Sequence, residues 1–419
     1  MTDTERIVAD YEAVRGDQEA LYRDLHEHPE LSHQETRTAE KVIDGLRTWG
    51  FDVVDGVGGT GVVGVLANGA GPTVLLRADM DALPVEEDTG VPYASTQVAT
   101  DAAGARVPVM HACGHDVHVA SLMGAARLMA SHTDLWHGTL LALFQPAEET
   151  GDGARGMVDD HLFDRVPHPD VALAQHVLPG PTGHVGVRNG AVLSTAQSMR
   201  VTVYGRGGHG SMPQNTIDPV VLAAMIVVRL QVLVSRETAP TDPAVLTVGS
   251  LRAGTKSNII PDTAVLELNV RAYSAETMAR LLDGIERVVR AECEASGCPR
   301  EPEIERFGAF PITENDSETT ERIEEAFRDL FGDSVGILDL QTASEDFSDL
   351  PNALGIPYSY WGLGGIDTAT WDKAVAAGRV LEDIPVNHSP KFLPVMQPTL
   401  KTGTSALVAA AMSYLGKEA

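Results

Sequence analysis

The sequence predicts a two-domain α/β protein, with a mostly parallel sheet covered by helices on both faces and a smaller α+β domain inserted into it. Short apolar strands at residues 61–67, 73–79, 139–145 and 170–177 alternate with helical segments. Strands of this kind are buried on both faces, as in a parallel sheet. From about residue 190 the pattern changes to strands of period two and to two long amphipathic helices.

The helices of the first part are recognised by their apolar faces. In residues 36–51, apolar side chains recur at Ala39, Val42, Leu46 and Trp49, and the following glycine marks the end of the helix. Residues 116–130 form a second predicted helix between two strands. This alternation predicts crossover connections and hence parallel strands.

The inserted domain begins with an alternating strand at 198–205 and a helix at 218–237. Strands at 244–254 and 263–273 and a helix at 274–296 follow. This order predicts a small sheet with helices on one face. The chain then returns to mixed segments and finishes with a helix. We therefore predict a main domain of residues 1–189 and 305–419, interrupted by a second domain at 190–304.

Charge and composition exclude several classes of protein. The chain has 419 residues, 43% of them hydrophobic, and a formal net charge of −28. So acidic a chain does not suit nucleic acid or an anionic membrane, since both attract lysine and arginine. The longest apolar run, residues 220–228, is too short to span a bilayer. We expect neither nucleic acid nor a membrane as a partner.

The termini and cysteines predict a cytoplasmic location. The first residues, MTDTERIVADYEAV, are acidic where a signal peptide has basic residues and an apolar run. The three cysteines, Cys113, Cys293 and Cys298, are too few for a disulfide framework. A bridge between Cys293 and Cys298 remains open, although disulfides are rare in the cytosol.

Residues able to bind a metal ion recur where the predicted strands end. They are Asp79, Asp81, Cys113, His115, Glu148, Glu149 and His176, with His388 in a distant loop. Loops beyond the carboxyl ends of strands form the binding crevice of an α/β sheet, so these side chains are expected to converge. A thiol with several imidazoles and carboxylates suits zinc, manganese or cobalt. The residues alone predict a metal site.

Each of these residues also has an ordinary structural interpretation. A single histidine such as His176 is more often a hydrogen-bonded core residue than a ligand, and paired glutamates such as Glu148 and Glu149 are usually solvated. Asp79 and Asp81 could stabilise a turn. Their recurrence after apolar strands favours the metal site, because clustered carboxylates in a crevice need a cation or a proton.

Eight motifs occur in the order found in a metal-dependent amidohydrolase family. They are RADMDALP, HACGHDVH, FQPAEE, QHV, GGHGSMP, SNIIPD, SEDFS and NHSPKF. The chain resembles the aminoacylase, hippurate hydrolase and auxin-conjugate hydrolase branch, which is related to carboxypeptidase G and succinyl-diaminopimelate desuccinylase. The resemblance extends from LHEHPELSHQET, at residues 25–36, to the final helix.

The resemblance implies a site for two divalent metal ions. Carried over residue by residue, the family's ligands fall on Cys113, His115, Glu149, His176 and His388. Cys113 takes the position that bridges the two metals, where relatives outside this branch have an aspartate. Glu148 falls on the catalytic base, and Asp81 on an acid that orients the ligands or the base. Supporting roles beside the ligands are implied for Asp79, His111, Asp116 and His118.

The inserted residues 190–304 resemble the family's lid, which also pairs two subunits, so a homodimer or a dimer of dimers is implied. His209 matches a histidine that polarises the scissile carbonyl, in some relatives from the partner subunit. Asn258 and Arg271 match residues that hold the substrate's carboxylate or carbonyl, and a planar guanidinium suits a carboxylate. Gln214 departs from the branch, where many members have a histidine. His209 as part of a glycine-rich turn, and Arg271 as an exposed strand residue, remain open interpretations.

The implied activity is hydrolysis of N-acyl amino acids to a carboxylic acid and a free amino acid. A metal-bound hydroxide attacks the amide, Glu148 acts as general base and acid, and zinc is favoured over manganese or cobalt. A dipeptidase or carboxypeptidase-like enzyme of the same superfamily is the nearest alternative. A cysteine hydrolase, with Cys113 as nucleophile and His115 as base, and a non-catalytic binding protein are the more distant ones.

Overall fold

Helices and strands alternate along the computed structural model, which describes residues 1–416 of the chain. The strands are β1 (Asp52–Val57), β2 (Gly61–Asn68), β3 (Thr73–Asp79), β4 (Val98–Thr100), β5 (Arg106–Pro108), β6 (Gly138–Gln145), β7 (Val171–Pro181), β8 (Val185–Val187), β9 (Gly190–Leu193), β10 (Thr195–Tyr204), β11 (Gly208–His209), β12 (Ala244–Ala253), β13 (Ile259–Ile260), β14 (Thr263–Ala272), β15 (Glu303–Phe310), β16 (Thr313–Asn315), β17 (Val335–Ile337) and β18 (Tyr358–Ile366). The helices are α1 (Asp3–Ala9), α2 (Glu12–Glu27), α3 (Thr36–Thr48), α4 (His115–Ser131), α5 (Gly153–Asp159), α6 (Leu162–Arg165), α7 (Pro219–Glu237), α8 (Ala275–Ala295), α9 (Ser317–Phe331), α10 (Asp349–Leu354), α11 (Thr368–Ala377), α12 (Val380–Asp383) and α13 (Met396–Leu415).

The largest sheet has the strand order β1-β2-β6-β3-β7-β18-β8-β17. Its central strands β6, β3, β7 and β18 run parallel to one another, whereas β1 and β2 pair antiparallel at one edge. The α/β class with a mostly parallel central sheet is confirmed. Because parallel strands share one direction, the residues that follow β3 and β6 emerge at the same edge of the sheet.

The central strands are continuous apolar runs because both of their faces are covered. All nine residues of β18 are buried, and β3 is buried throughout except at its first residue. Helices α2, α4 and α13 pack against one another, and α4 and α13 also contact β3. The core of this part therefore forms between the central strands and α4 and α13.

The chain divides into two compact units. The first comprises residues 1–192, 314–339 and 346–419, and the second comprises 193–313 and 340–345. The predicted domain boundary after residue 189 lies three residues before the start of the second unit. The predicted boundary after residue 304 cuts through β15, which pairs with β10 over its whole length and belongs to the second unit.

The second unit is a four-stranded antiparallel sheet of order β12-β14-β10-β15, packed with α7 and α8. Side chains of β14 alternate between buried and more exposed positions, as expected for a sheet that covers its core with one face. α7 and α8 contact each other and contribute apolar side chains to the same core. The predicted strand and helix segments agree with this unit.

α7 is long and apolar enough to cross a membrane by length and composition, which the short run at 220–228 did not suggest. Its most apolar stretch has a mean hydropathy of 1.8, and a third of it is buried. Leu222, Ile226 and Leu230 are almost fully buried in the core of the second unit, whereas Val221 and Val228 are exposed. Burial of one side in a protein core makes this helix weak evidence for a membrane span.

A buried cluster of three ionisable side chains joins three segments of the first unit. His26 of α2 lies between two carboxylates, with Nδ1 2.6 Å from Asp116 and Nε2 3.1 Å from Glu87. Burial opposes the charged imidazole, but hydrogen bonds to Asp116 and Glu87 raise the pKa of His26 to about 9. Glu87 also accepts the Ser95 N–H at 2.6 Å. His26 therefore fastens the loop that follows β3 to the first turn of α4.

We expect the stabilisation by His26 to be lost at alkaline pH. Its pKa is raised on folding from 6.5 to about 9, a shift worth on the order of 3 kcal/mol. The contribution is therefore complete below about pH 6.5 and disappears as pH rises through 9. In metal-free protein, the thermal midpoint of the wild type should exceed that of His26→Gln at pH 6, and the difference should shrink by pH 10. A difference that is the same at both pH values contradicts this assignment.

Candidate active site

The predicted metal ligands lie after β6, within β7, at the start of α4 and in a late loop. Glu149 is the fourth residue after the end of β6, and His176 lies within β7 opposite Gly362 of β18. Cys113 lies two residues before α4, and His115 is its first residue. His388 lies in a loop, and its backbone N–H donates to the Ala112 carbonyl at 2.8 Å. The candidate ligands therefore come from separate strands, a helix start and a loop.

Backbone geometry at Gly114 brings the first two candidate ligands to His176. Gly114 precedes α4 with φ +87°, in the left-handed region that favours glycine. A Cβ at this position would lie 2.5 Å from Cγ1 of Val177, so a larger residue would push apart α4 and β7. Asn387 links the same two segments, since its side-chain amide donates to the carbonyls of Cys113 at 3.1 Å and Val177 at 3.2 Å.

The structure brings all five candidate ligands together as two groups that share Cys113. One group is Cys113, His115 and His176, and the other is Cys113, Glu149 and His388; within each group the ligand atoms all lie within 4.8 Å of one another. The Cys113 Sγ is 3.4 Å from His176 Nε2, and His388 Nε2 is 3.4 Å from Glu149 Oε2. A thiolate common to two groups is the arrangement that a bridging ligand requires.

Hydrogen bonds orient the two buried histidines toward this cluster. His115 Nδ1 donates to the Asp81 carbonyl at 2.9 Å, and His176 Nδ1 donates to the Val177 carbonyl at 2.8 Å. Each imidazole therefore presents Nε2 to the cluster, as in metal-binding histidines whose other nitrogen is held by an acceptor. His118 is different, because Nδ1 lies 2.5 Å from Asp79 Oδ1 and Nε2 accepts the Val177 N–H at 2.8 Å. No lone pair of His118 is left for a metal.

Asp79 is held in a buried network of charged and polar side chains. Arg77, within β3, lies 2.5 Å from Asp79 and 2.8 Å from the Gln145 side-chain carbonyl, and it also contacts Asp346. Although burial raises the pKa of Asp79, Arg77 and the nearby histidines hold it well below its usual range. The sequence analysis assigned no role to Arg77 or Asp346. The available signals were a charged residue inside the apolar strand TVLLRAD and the place of both residues in the motifs RADMDALP and SEDFS.

The charges of the cluster fit divalent cations. Burial opposes protonation of His115, but Asp79 and Asp81 raise its pKa to about 10. Burial and the Asp81 carboxylate raise the pKa of Glu149 to about 7, and burial followed by the neighbouring glutamates raises the pKa of the Cys113 thiol well above its usual value. Within the described residues, the buried atoms His115 Nε2 and Glu149 Oε1 have no hydrogen-bond partner. Protons thus occupy positions from which a metal would displace them.

Glu148 and Asp81 lie beside the candidate ligands. Glu148 is 6% exposed, and its Oε2 is 3.8 Å from His115 Nε2. Asp81 Oδ1 is 3.2 Å from His115 Nδ1, while Oδ2 accepts the Glu149 N–H at 3.0 Å and the Ser32 hydroxyl at 2.7 Å. The Asp81 carboxylate therefore holds the imidazole of His115 and the backbone N–H of Glu149.

His209 lies in the second unit, on the two-stranded ribbon formed by β11 and β13. Its Nδ1 accepts from the Ser211 N–H at 3.1 Å and from the Ser211 hydroxyl at 2.7 Å, so the ring proton is on Nε2. His209 pairs with Ile259, and the Asn258 carbonyl accepts the Gly210 N–H at 2.9 Å. An exposed Nε2–H donor and the Asn258 amide therefore occupy neighbouring positions on this ribbon.

Arg271 lies at the other end of β14 from that ribbon. Its Nε donates to Asn269 Oδ1 at 3.1 Å, and Nη1 donates to the Thr342 carbonyl at 2.9 Å. Eight residues separate Arg271 from the start of β14, a distance of about 26 Å along an extended strand. Arg271 and the ribbon that carries Asn258 therefore lie at opposite ends of β14.

Comparison with known proteins agrees with this geometry. Residues 75–385 match the family model of peptidase family M20/M25/M40. The chain belongs to this family. It is therefore an amide hydrolase. The match covers most of β3, the candidate ligands from Cys113 to His176 and the whole second unit, and it ends before His388.

Known relatives can be aligned with most of this chain. It is 37% identical over 338 residues to the hippurate hydrolase of Campylobacter jejuni, covering 80% of this chain and 85% of that protein. It is 35% identical to thermostable carboxypeptidase 2 of Saccharolobus solfataricus, covering 95% of each chain. It is also 35% identical to IAA-amino acid hydrolase ILR1-like 4 of Arabidopsis thaliana, covering 82% of this chain and 76% of that protein.

Among solved structures, the Bacillus subtilis YXEP protein, a dinuclear metal binding peptidase from the M20 family, is similar to this family member. The two share a TM-score of 0.77 and 27% identity, over 96% of this chain and 98% of that one. The likeness over almost the whole chain agrees with a site built from both early and late segments of the sequence.

We expect Cys113→Ala to lose metal and Cys113→Asp to retain it. The thiol belongs to both ligand groups, so removing it weakens both metal positions, whereas a carboxylate can still bridge two hard or borderline cations. After loading with Zn²⁺ and desalting, metal content is measured by mass spectrometry. Cys293→Ala, a buried thiol of the second unit, is the matched control. Full metal content in Cys113→Ala would remove this residue from the site.

Proposed function

We propose that this family member is a dinuclear-metal amidohydrolase that cleaves N-acyl amino acids to a carboxylic acid and a free amino acid. The observation that carries the proposal is the pair of ligand groups sharing Cys113, with Glu148 beside them. The two groups supply ligand atoms for two cations, and the Glu148 carboxylate lies next to them.

The metal ligands in this proposal are the five residues of the two groups: Cys113, His115, Glu149, His176 and His388. Zinc suits the mixture of thiolate, imidazole and carboxylate best, with manganese or cobalt as alternatives. When bound, two such cations lower the pKa of a water and polarise an amide carbonyl. Asp81 and the Val177 carbonyl then hold His115 and His176 in the tautomers that ligation requires.

Glu148 is the proton carrier of the reaction. Its carboxylate is nearly buried and adjoins His115, so little bulk water competes with it for the proton. It accepts the proton of the attacking water and delivers it to the nitrogen of the leaving amine. His209 donates its Nε2–H to the oxygen on which negative charge develops, a contact that typically contributes about 100- to 1,000-fold in rate.

The proposed substrates, N-acyl amino acids, have a free carboxylate on the amino-acid side of the amide. Arg271 offers a planar donor to that carboxylate, and Asn258 an amide to the carboxylate or carbonyl. Hippurate and IAA-amino acids, after which two relatives are named, are both N-acyl amino acids. The carboxypeptidase among the relatives makes peptide hydrolysis the second candidate. A panel of N-acetyl, N-benzoyl and longer N-acyl amino acids beside dipeptides separates the two.

A cysteine hydrolase is the weaker alternative. A nucleophilic cysteine needs a lowered pKa, as provided by a neighbouring cation or a helix N-terminus. Burial and the surrounding carboxylates instead raise the pKa of Cys113 well above its usual value. The thiol therefore becomes a thiolate only when a metal replaces its proton.

A homodimer formed through the second unit completes the proposal. α7 exposes Val221 (59%) and Val228 (66%), and Val245 (50%) is exposed on β12, an edge strand of the four-stranded sheet. Apolar side chains beside an open strand edge favour pairing with a second copy. A dimer also accounts for Asn258 and Arg271 lying at opposite ends of β14, because each can then serve a different active site. We place the enzyme in the cytoplasm, where its three free cysteines would stay reduced.

We expect Glu148→Gln to retain metal but to lose about 100- to 10,000-fold in turnover, because the amide cannot carry the proton. Glu149→Gln is the matched variant: it alters the adjacent carboxylate, and we expect it to lose metal. The measurements are metal content and kcat for an N-acyl amino acid. Substantial turnover by metal-loaded Glu148→Gln would exclude it as the base.

Mixing two inactive variants tests whether His209 acts across the dimer. Glu148→Gln and His209→Ala are each expected to be inactive as homodimers. If His209 serves the partner's site, each mixed dimer has one complete site, so random mixing restores about a quarter of wild-type activity in a two-fold dimer. Activity is measured after co-expression with two affinity tags. Mixed dimers without activity would show that His209 acts within its own subunit.

A further inference from the structure

The loop that carries Glu148 contains a strained backbone. Ala147 has φ +51°, in the left-handed region that side-chain-bearing residues rarely adopt. Its carbonyl accepts the Gly153 N–H at 3.1 Å and the Thr150 hydroxyl at 3.2 Å. Such a conformation persists only where surrounding groups hold it, and it is typical of functional sites.

The Ala147 N–H is held from a distant part of the sequence by Glu35. This carboxylate is fully buried, and its Oε1 accepts the N–H of Ala147 at 2.9 Å and the N–H of His33 at 2.9 Å. Oε2 accepts the Thr60 hydroxyl at 2.6 Å. A buried carboxylate is costly unless it is hydrogen-bonded, so its retention here calls for a role.

A second carboxylate holds the other side of the same loop. Asp81 Oδ2 accepts the Glu149 N–H at 3.0 Å and the Ser32 hydroxyl at 2.7 Å. The peptide N–H groups immediately before and after Glu148 therefore each donate to a buried carboxylate. Ser32 and Glu35 both come from the short segment LSHQE at residues 31–35, which the proposed function does not otherwise use.

We propose that Glu35 is a positioning residue for amide hydrolysis: by binding the Ala147 N–H it fixes the left-handed turn that aims the Glu148 carboxylate. The proposal rests on the proposed function, in which Glu148 carries the proton. Removing the Glu35 carboxylate leaves the Ala147 N–H without an acceptor and lets the turn relax. A misplacement of about 1 Å in a catalytic group can cost about 100-fold in rate.

Glu30 offers a matched control in the same segment. It has the same side chain, but its carboxylate caps α3, accepting the Arg37 N–H at 3.0 Å and the Thr38 N–H at 2.8 Å. Loss of these bonds should weaken α3 as loss of a helix cap does, without releasing the loop after β6. A purely structural role of Glu35 would make the two residues equivalent in their effects.

The experiment compares Glu35→Ala, Glu35→Asp, Glu35→Gln and Glu30→Ala in the full-length, metal-loaded protein. Measurements are kcat, KM, metal content and hydrogen exchange of the peptide that contains Ala147. We expect Glu35→Ala to lower kcat about 100-fold with KM and metal content nearly unchanged, and to speed exchange of that peptide. The shorter Glu35→Asp should show the same changes in part. Glu35→Gln, which keeps the acceptor oxygen, should preserve both kcat and protection.

Glu30→Ala should lower the thermal midpoint but leave kcat and the exchange of that peptide as in the wild type. The proposal is overturned if Glu35→Ala and Glu35→Asp keep wild-type protection or wild-type kcat, or if Glu30→Ala reproduces their loss of kcat. If Glu35→Ala does not fold, Glu35→Asp decides the matter by the same criteria. Hydrogen exchange needs no substrate, so failure of the anchor is distinguished from failure to hydrolyse N-acyl amino acids.

Discussion

Negative charge gathered at the carboxyl ends of β3 and β6 is the constraint on which the site depends. Asp79, Asp81 and Glu148 are almost fully buried there, and Glu149 and Cys113 adjoin them. Carboxylates taken out of water need cations, protons or hydrogen-bond donors. The surrounding structure can be understood as the set of groups that supplies them.

The buried acids fall into two sets, according to whether groups of the protein stabilise their negative charge. Asp79 is paired with Arg77 and accepts a hydrogen bond from His118, and Asp81 is bound by His115, a peptide N–H and the Ser32 hydroxyl. These two are therefore satisfied by the protein. Around Glu149 the protein leaves unpaired ligand atoms and raised pKa values instead. This difference separates the residues that support the site from those that are suited to hold cations.

Backbone strain lies in the segments that deliver these groups. Gly114 precedes His115 at positive φ, and Ala147 and His388 adopt positive φ although they carry side chains. His33, beside Glu35, does so as well. Holding such conformations requires nearby anchors, and hydrogen bonds from distant segments provide them, as at Ala147. The strain is thus confined to loops, while the apolar strands below them remain regular and rigidly packed.

The sequence by itself determined the α/β class, because continuous apolar strands alternate with amphipathic helices. It also indicated the positions after β3 and β6 where candidate ligands such as Glu149 lie. Motif order indicated which residues share a site. It could not show that both nitrogens of His118 are engaged, or that Asp79 pairs with Arg77, because residue type does not specify hydrogen-bond partners. The tertiary structure decided these points, together with the contact of Glu35 with Ala147 and the separation of Asn258 from Arg271. Each depends on which strands and loops become neighbours, and periodicity reports burial but not register.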